Sequence, residues 1–192
     1  MDDLIENIPS LGRLVRLKPV SADEMSDLRT VHETSVRLHS NDMMSSEDVE
    51  EWTCYIRSPA YTDKLIANPN IGAFLQNEMV AAASWRPSID QPDTAKITAL
   101  FVRPLFATSG IGSRLLEAIE AETAAAGFQS IAIRSFQNAT GFFQTKGYRI
   151  SSYGIRVISP RLSFPVTFMR KALTNPKRSV HELGADQEEA AN

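Results

Sequence analysis

Residues 97–126 read ITALFVRPLFATSGIGSRLLEAIEAETAAA, and the architecture of the chain follows from them. The stretch opens as a short apolar strand, Ile97 to Val102. It passes through a tight turn ending Ser109-Gly110-Ile111-Gly112 and continues as a helix to Ala126. Two glycines at a strand-to-helix junction leave backbone N–H groups bare at the positive end of a helix dipole, an arrangement that holds anions such as phosphates. Gly127 is placed to end the helix in the left-handed conformation.

The neighbouring segments build a sheet around this unit. Ile71–Leu75 and Met79–Trp85, joined by Gln76-Asn77-Glu78, read as a hairpin. Its second arm, MVAAASW, is rich in small residues and is expected to pack on both faces. Phe128–Ser135, Tyr148–Val157 and Phe164–Lys171 read as further strands, with a short helix at Asn138–Lys146. Toward the N-terminus, Leu14–Leu17 reads as a short strand. Ser21 and Glu24 form a capping box for a helix to about His39, with Met25, Leu28, Val31, Ser35 and Leu38 at helical spacing. Ser45 or Ser46 caps a second helix carrying Val49, Trp52 and Ile56, which Ser58-Pro59 ends. Residues 1–13 are read as a leader or docking segment, 14–173 as one domain and 174–192 as a polar, flexible tail.

The bulk numbers narrow the class. The chain has 192 residues, 43% hydrophobic and 22% charged, as expected of one globular domain. A net charge of −3 argues against a nucleic-acid partner, which needs clustered Lys and Arg. No apolar run approaches the roughly 20 residues that span a bilayer, and the acidic start is unlike a signal peptide, so the cytoplasm is the expected compartment. One cysteine, Cys54, excludes an internal disulfide and reads as a part-buried structural thiol. Three scattered histidines give no metal-ligand spacing, and no metal is expected. A dinucleotide fingerprint fails at Leu115, where its third glycine would stand, and no Lys-Ser/Thr follows for a phosphate loop.

The hairpin IGAFLQNEMVAAASWRP, the strand ALFVRP leading to SGIGSRLL, and NATGFFQTKGY occur in an order that resembles the GNAT superfamily of acyl-CoA-dependent N-acyltransferases. The opening VRLKPVSADEMSDLRTVHETSV and the segment SSEDVEEW are similar to parts of the same family, so the resemblance spans about residues 14–173. It implies an α/β (α+β) fold with a central, twisted, mixed but mostly antiparallel sheet, split by a cofactor cleft and flanked by helices. Acetyl-CoA would lie in the cleft. Its pantetheine would pair with the backbone of Leu100, Phe101 and Val102, and its pyrophosphate would sit on the amides of Ser109, Gly110, Ile111, Gly112 and Ser113. Gly110 and Gly112 would permit close approach and positive φ. Phe142 lies in the same segment, and Asn138 is a candidate either for the pantetheine or for capping the short helix.

The implied activity is transfer of an acetyl group from acetyl-CoA to a primary amine, a small molecule, by direct attack. A backbone N–H at Leu100 would stabilise the oxyanion. Two other readings share the fold: a non-catalytic acyl-CoA-binding sensor or assembly module, and an acetylase of protein or aminoacyl-tRNA. The chain departs from the family in three places. Ala107 stands where Arg or Gln is usual, Phe143 replaces the Tyr whose hydroxyl can protonate the departing thiolate, and Lys96, Thr98 and Ala99 occupy the strand where some members carry a Glu base. Arg103 and Arg114 flank the turn and are candidates to compensate for Ala107, with surface solvation as the alternative. His32 and His39 are candidate bases, Tyr153 is either a cleft residue or a core tyrosine, and Trp85 lines the acceptor pocket or packs in the core. Phe164, Val166 and Phe168 share one face of the last strand and are a candidate homodimer surface.

Overall fold

The computed structural model describes residues 11–39 and 44–174. Seven strands form one sheet: β1 (Arg16–Pro19), β2 (Asn70–Leu75), β3 (Glu78–Pro87), β4 (Thr94–Val102), β5 (Ser130–Ser135), β6 (Arg149–Val157) and β7 (Ser163–Ala172). Their order is β1-β2-β3-β4-β5-β7-β6, antiparallel throughout except for the parallel pair β4–β5. Helix α1 (Leu11–Leu14) and helix α5 (Ile111–Ala125) cover one face. Helices α2 (Met25–His39), α3 (Ser46–Arg57) and α4 (Pro59–Ile66) cover the other, and α6 (Thr140–Thr145) precedes β6.

The small residues of β3 make this double layer possible. Val80, Ala81, Ala82 and Ala83 are fully buried. Ala81 and Ala83 meet Leu115 and Ile119 of α5, while Ala82 packs with Leu28 and Val31 of α2. On the second face Trp52 stacks on Phe164 at 4.8 Å and tilts on Phe136 at 5.3 Å. Such pairs add about 0.5–1.5 kcal/mol each beyond the area they bury. Phe164 and Val166 are therefore core residues packed with Trp52 and Ile56, and Phe168 packs against the same cluster. The face read as a dimer surface is filled from within the chain.

Local signals set the helix starts. The Ser21 N–H and hydroxyl both donate to Glu24, and Lys18 closes on the same carboxylate at 2.5 Å. Ser45 caps α3 by accepting from the Asp48 N–H. Ser58-Pro59 ends α3 and also starts α4. Pro59 occupies the first turn, where a missing N–H costs nothing, and Ser58 accepts from the Tyr61 N–H. Sequence reading had stopped at the proline and missed α4.

Other residues also depart from expectation. Leu38 is exposed, because the buried stripe of α2 runs through Leu28, Val31, His32, Ser35 and Val36 and leaves Leu38 off its edge. Cys54 is exposed rather than part-buried, since the inward face of α3 is Val49, Trp52, Thr53 and Ile56. Trp85 is buried against Phe128 in the α5-side core. Leu14 belongs to α1, and the first strand begins at Arg16. Residues 1–10 and 40–43 and the polar tail from residue 175 lie outside the described residues. Among the described residues, no helix is long and apolar enough to cross a membrane.

Candidate active site

The site originates in one extra residue. Along β3–β4, Trp85 pairs with Ile97 but Ser84 pairs with Ala99, so Thr98 is a bulge. A bulge adds twist and reverses the facing of everything beyond it. Pairing of β4 with β5 stops at the same place, at Ile97–Ile133, and the two parallel strands separate. The Arg103 N–H donates to the Val80 carbonyl at 2.9 Å, so the peptide groups of Arg103, Phe101 and Ala99 face β3. By alternation those of Leu100 and Val102 face the split. The Val102 carbonyl accepts from the Ser35 hydroxyl of α2 at 3.0 Å.

The split opens into a cleft of about 530 Å³ lined by Leu100, Phe101 and Val102 on one wall and Phe136, Asn138, Ala139 and Phe142 on the other. Its floor is Gly110, Gly112 and Ser113. Gly110 is the residue before α5 and has φ 84°, a left-handed conformation that glycine adopts without strain. Gly112 has no positive φ, so of the two glycines read as permitting it only Gly110 uses it. A Cβ there would meet Val102, Phe142 and Leu100 at 3.5–3.9 Å, at the cleft wall. The first N–H groups of α5 have no intrahelical partner and lie at this end. An apolar slot ending on bare amides fits a long thiol ester with a phosphate terminus.

Not every candidate residue enters the cleft. The Ser109 hydroxyl donates to the Phe106 carbonyl at 2.5 Å, and its own carbonyl accepts from the Gly12 N–H at 2.9 Å. Ile111 is fully buried beneath α5. Asn138 lines the cleft, and the N-cap position of α6 is Ala139. Tyr153 is 70% exposed on β6, because β6 is the outermost strand and its outward face carries Tyr153, Ile155 and Val157. It is neither a core tyrosine nor a cleft residue.

His32 is completely buried, with Nδ1 2.8 Å from the Tyr61 hydroxyl and its ring 4.7 Å from Phe101. It does not line the cleft, and burial pushes its pKa down to about 3. His39 is the last residue of α2, and its side chain lies outside the described residues. Phe143 is buried between Phe142 and Tyr148. Among the described residues, those that line the cleft include no acid, base, thiol or phenol. Ser35, Val36, Phe106, Thr108 and Phe136 also line it, and sequence reading missed them. Thr108, with φ 61° although β-branched, holds an uncommon conformation at the turn.

Neither flanking arginine reaches the turn amides. Arg103 pairs with Glu78. Arg114 donates to the carbonyls of Gly12 at 2.6 Å and Val15 at 2.9 Å, which ties α1 over the glycine turn. Gly12 is required there, since a Cβ would come within 2.9 Å of the Gly110 carbonyl carbon. Arg114→Met is expected to cost about 2 kcal/mol for these charge-assisted bonds, read as a lower urea midpoint. Ala107 is exposed at the cleft mouth. Ala107→Arg is expected to tighten acetyl-CoA binding by about 5- to 10-fold through one added charged hydrogen bond, measured by calorimetry, with a steeper salt dependence than the wild type.

Comparison with known proteins agrees with this geometry. The sequence model of the Acetyltransferase (GNAT) domain matches residues 41–156, more than half of the chain. No curated protein sequence matches. Among solved structures, a GCN5-related N-acetyltransferase from Rhodopseudomonas palustris, described as a class-II aminotransferase, superposes with TM-score 0.73 at 24% identity, covering 83% of this chain and 96% of that one. The PaiA N-acetyltransferase from Thermoplasma acidophilum, solved with coenzyme A, gives 0.63 at 19% identity, covering 82% and 98%. The ribosomal-protein-S18-alanine N-acetyltransferase from Escherichia coli gives 0.59 at 13%, covering 83% and 94%. With the split β4–β5 pair, the glycine turn and this match in hand, the chain belongs to the GNAT acetyltransferase family.

Proposed function

We propose that this protein moves an acetyl group from acetyl-CoA to a primary amine by direct attack. The observation that carries the reading is the unpaired edge of β4, where the Leu100 peptide faces a cleft that runs down to the bare amides of α5. Gly110, Gly112 and Ser113 would hold the pyrophosphate, and Leu100–Val102 would take the pantetheine as an added strand. The Leu100 N–H would donate to the thioester oxygen as charge builds on it. The amine's proton would pass to water and CoA would leave as a thiolate that water protonates, because among the described residues no titratable side chain lines the cleft. General acid–base help is worth about 10²- to 10⁴-fold, so turnover without it would be slow.

The same lack of an acid or base, together with buried Phe143, favours a second reading: a sensor that binds acyl-CoA without turning it over. Release of free thiol separates the two. Acetyl-CoA with a panel of amines is expected to give amine-dependent CoA release above the rate of hydrolysis. Tight acetyl-CoA binding with no release from any amine would sink the transfer reading and support the sensor.

A further inference from the structure

Beyond the cleft, on the other side of the split, the sheet carries positive charge with no ion-pair partner among the described residues. Ile97 and Ile133 pack beneath α5, so Lys96 and Arg134, their strand neighbours, face the opposite way. Register sets Arg86 beside Lys96, and Lys96 beside Ala132, whose small side chain leaves room. Ala132 is in turn opposite Arg170. Arg156 comes in from β6 and lies over the rings of Trp52 and Phe164 at 5.7 and 5.9 Å.

None of the ion pairs among the described residues involves Arg86, Lys96, Arg134, Arg156 or Arg170. Arg170 is held by hydroxyls, those of Ser130 at 2.7 Å and Thr94 at 3.0 Å. Arg156 is held by aromatic faces, which attract the cation and leave its N–H donors unspent. Asp90 acts electrostatically on Lys96. Burial, then the neighbouring arginines, pull the Lys96 ammonium below its usual pKa, and burial does the same to Arg134 and Arg156. A chain with net charge −3 thus concentrates unneutralised cations on one patch.

The patch adjoins the reaction centre. A largely apolar recess of about 60 Å³, whose lining includes Thr98, Arg134 and Arg156, lies where β4 leaves β5 and shares Leu100, Phe101, Phe136 and Ala139 with the cleft. We infer that the acceptor amine carries an oxyanion, a carboxylate or a phosphate, which Arg134 and Arg156 hold while the amine reaches the split. The inference rests on the transfer reading and narrows its substrate to small anionic amines. Guanidinium forks match such groups with paired hydrogen bonds. A polyamine would meet like charge at Arg134 and Arg156.

Calorimetry on the CoA-saturated protein tests the inference directly. The probes are amino acids against their amides, O-phosphoethanolamine against ethanolamine, and spermidine. At least one anionic probe is expected to bind about 10- to 100-fold tighter than its neutral counterpart, the effect of charge-assisted hydrogen bonds. Arg134→Gln, at an exposed position, is expected to erase the difference with acetyl-CoA affinity unchanged, and Arg156→Lys to reduce it. The acid–amide pairs and the phosphate pair tell carboxylate from phosphate. Equal binding within every pair, no binding by any probe, or preference for spermidine would overturn the inference. Thiol release judges the transfer reading separately. Turnover of neutral or cationic amines alone would keep transfer and sink the anion site. Tight anion binding lost in Arg134→Gln, with no release, would keep the anion site and sink transfer.

Discussion

Gly112→Trp is expected to leave the protein folded and to weaken acetyl-CoA binding by more than about 100-fold, roughly 2.7 kcal/mol. The first half follows from space. A Cβ at Gly112 meets Val102, Phe142 and Leu100 at 3.5–3.9 Å, ordinary contact distances, and the backbone there has no positive φ. Gly112→Ala should therefore fold normally and change affinity only a few-fold. The second half follows from direction. The Cβ lies at the wall of the 530 Å³ cleft, so an indole must enter the volume beside Leu100 and Val102 that the thioester arm needs. Calorimetry with matched circular dichroism spectra reads both. Normal affinity in a folded Gly112→Trp protein would move the cofactor off the glycine turn. Gly110→Ala is a different case: its φ of 84° makes any side chain strained, and it is expected to lower stability as well.

Features with a local cause were legible in the sequence. Ser-Gly-Ile-Gly after an apolar strand, the Ser21–Glu24 box and the small residues of β3 each act over a few residues, and each appears where expected. The features that were missed depend on pairing or on distant contacts. Simple alternation would set Phe101 on the same face as Ile97. The Thr98 bulge turns it to the α2 side, where it meets His32. No residue type announces that bulge. The cationic row has the same origin: Arg86, Lys96, Arg134, Arg156 and Arg170 sit on five strands and meet only through register. Arg114 read as a phosphate or surface residue because its carbonyl partners, Gly12 and Val15, lie far away in sequence. Tyr153 was ambiguous because a strand's place at the sheet edge is not written in its own residues.

The acid sensitivity of the fold is expected to be dominated, between pH 6.5 and 4.5, by His32. Its ring is fully buried against Phe101 and Tyr61, and among the described residues Nε2 has no partner. Burial lowers its pKa from 6.5 to about 3. The unfolded chain then binds the proton that the folded one refuses. The stability due to the neutral ring is fully present above about pH 6.5 and is lost as pH falls toward 3. At about 1.36 kcal/mol per unit once the unfolded ring is mostly protonated, falling from pH 6.5 to 4.5 removes roughly 2 kcal/mol. Glu24 and Glu33 also have lowered pKa values, Glu24 mainly through Lys18 and Glu33 mainly through Arg57, but they lose stability at lower pH. The double variant His32→Leu/Tyr61→Phe removes the ring and its hydroxyl partner together, so neither is left buried and unpaired. Both carboxylates remain in it, so their effect cancels in the comparison. Urea unfolding at several pH values is expected to give a flat limb for the variant and a falling one for the wild type. Parallel limbs would mean that His32 titrates in the native state near its ordinary value. A His32 held neutral in this way is a packing residue against β4, with its ring 4.7 Å from Phe101, one residue from Leu100, and away from the cleft lining.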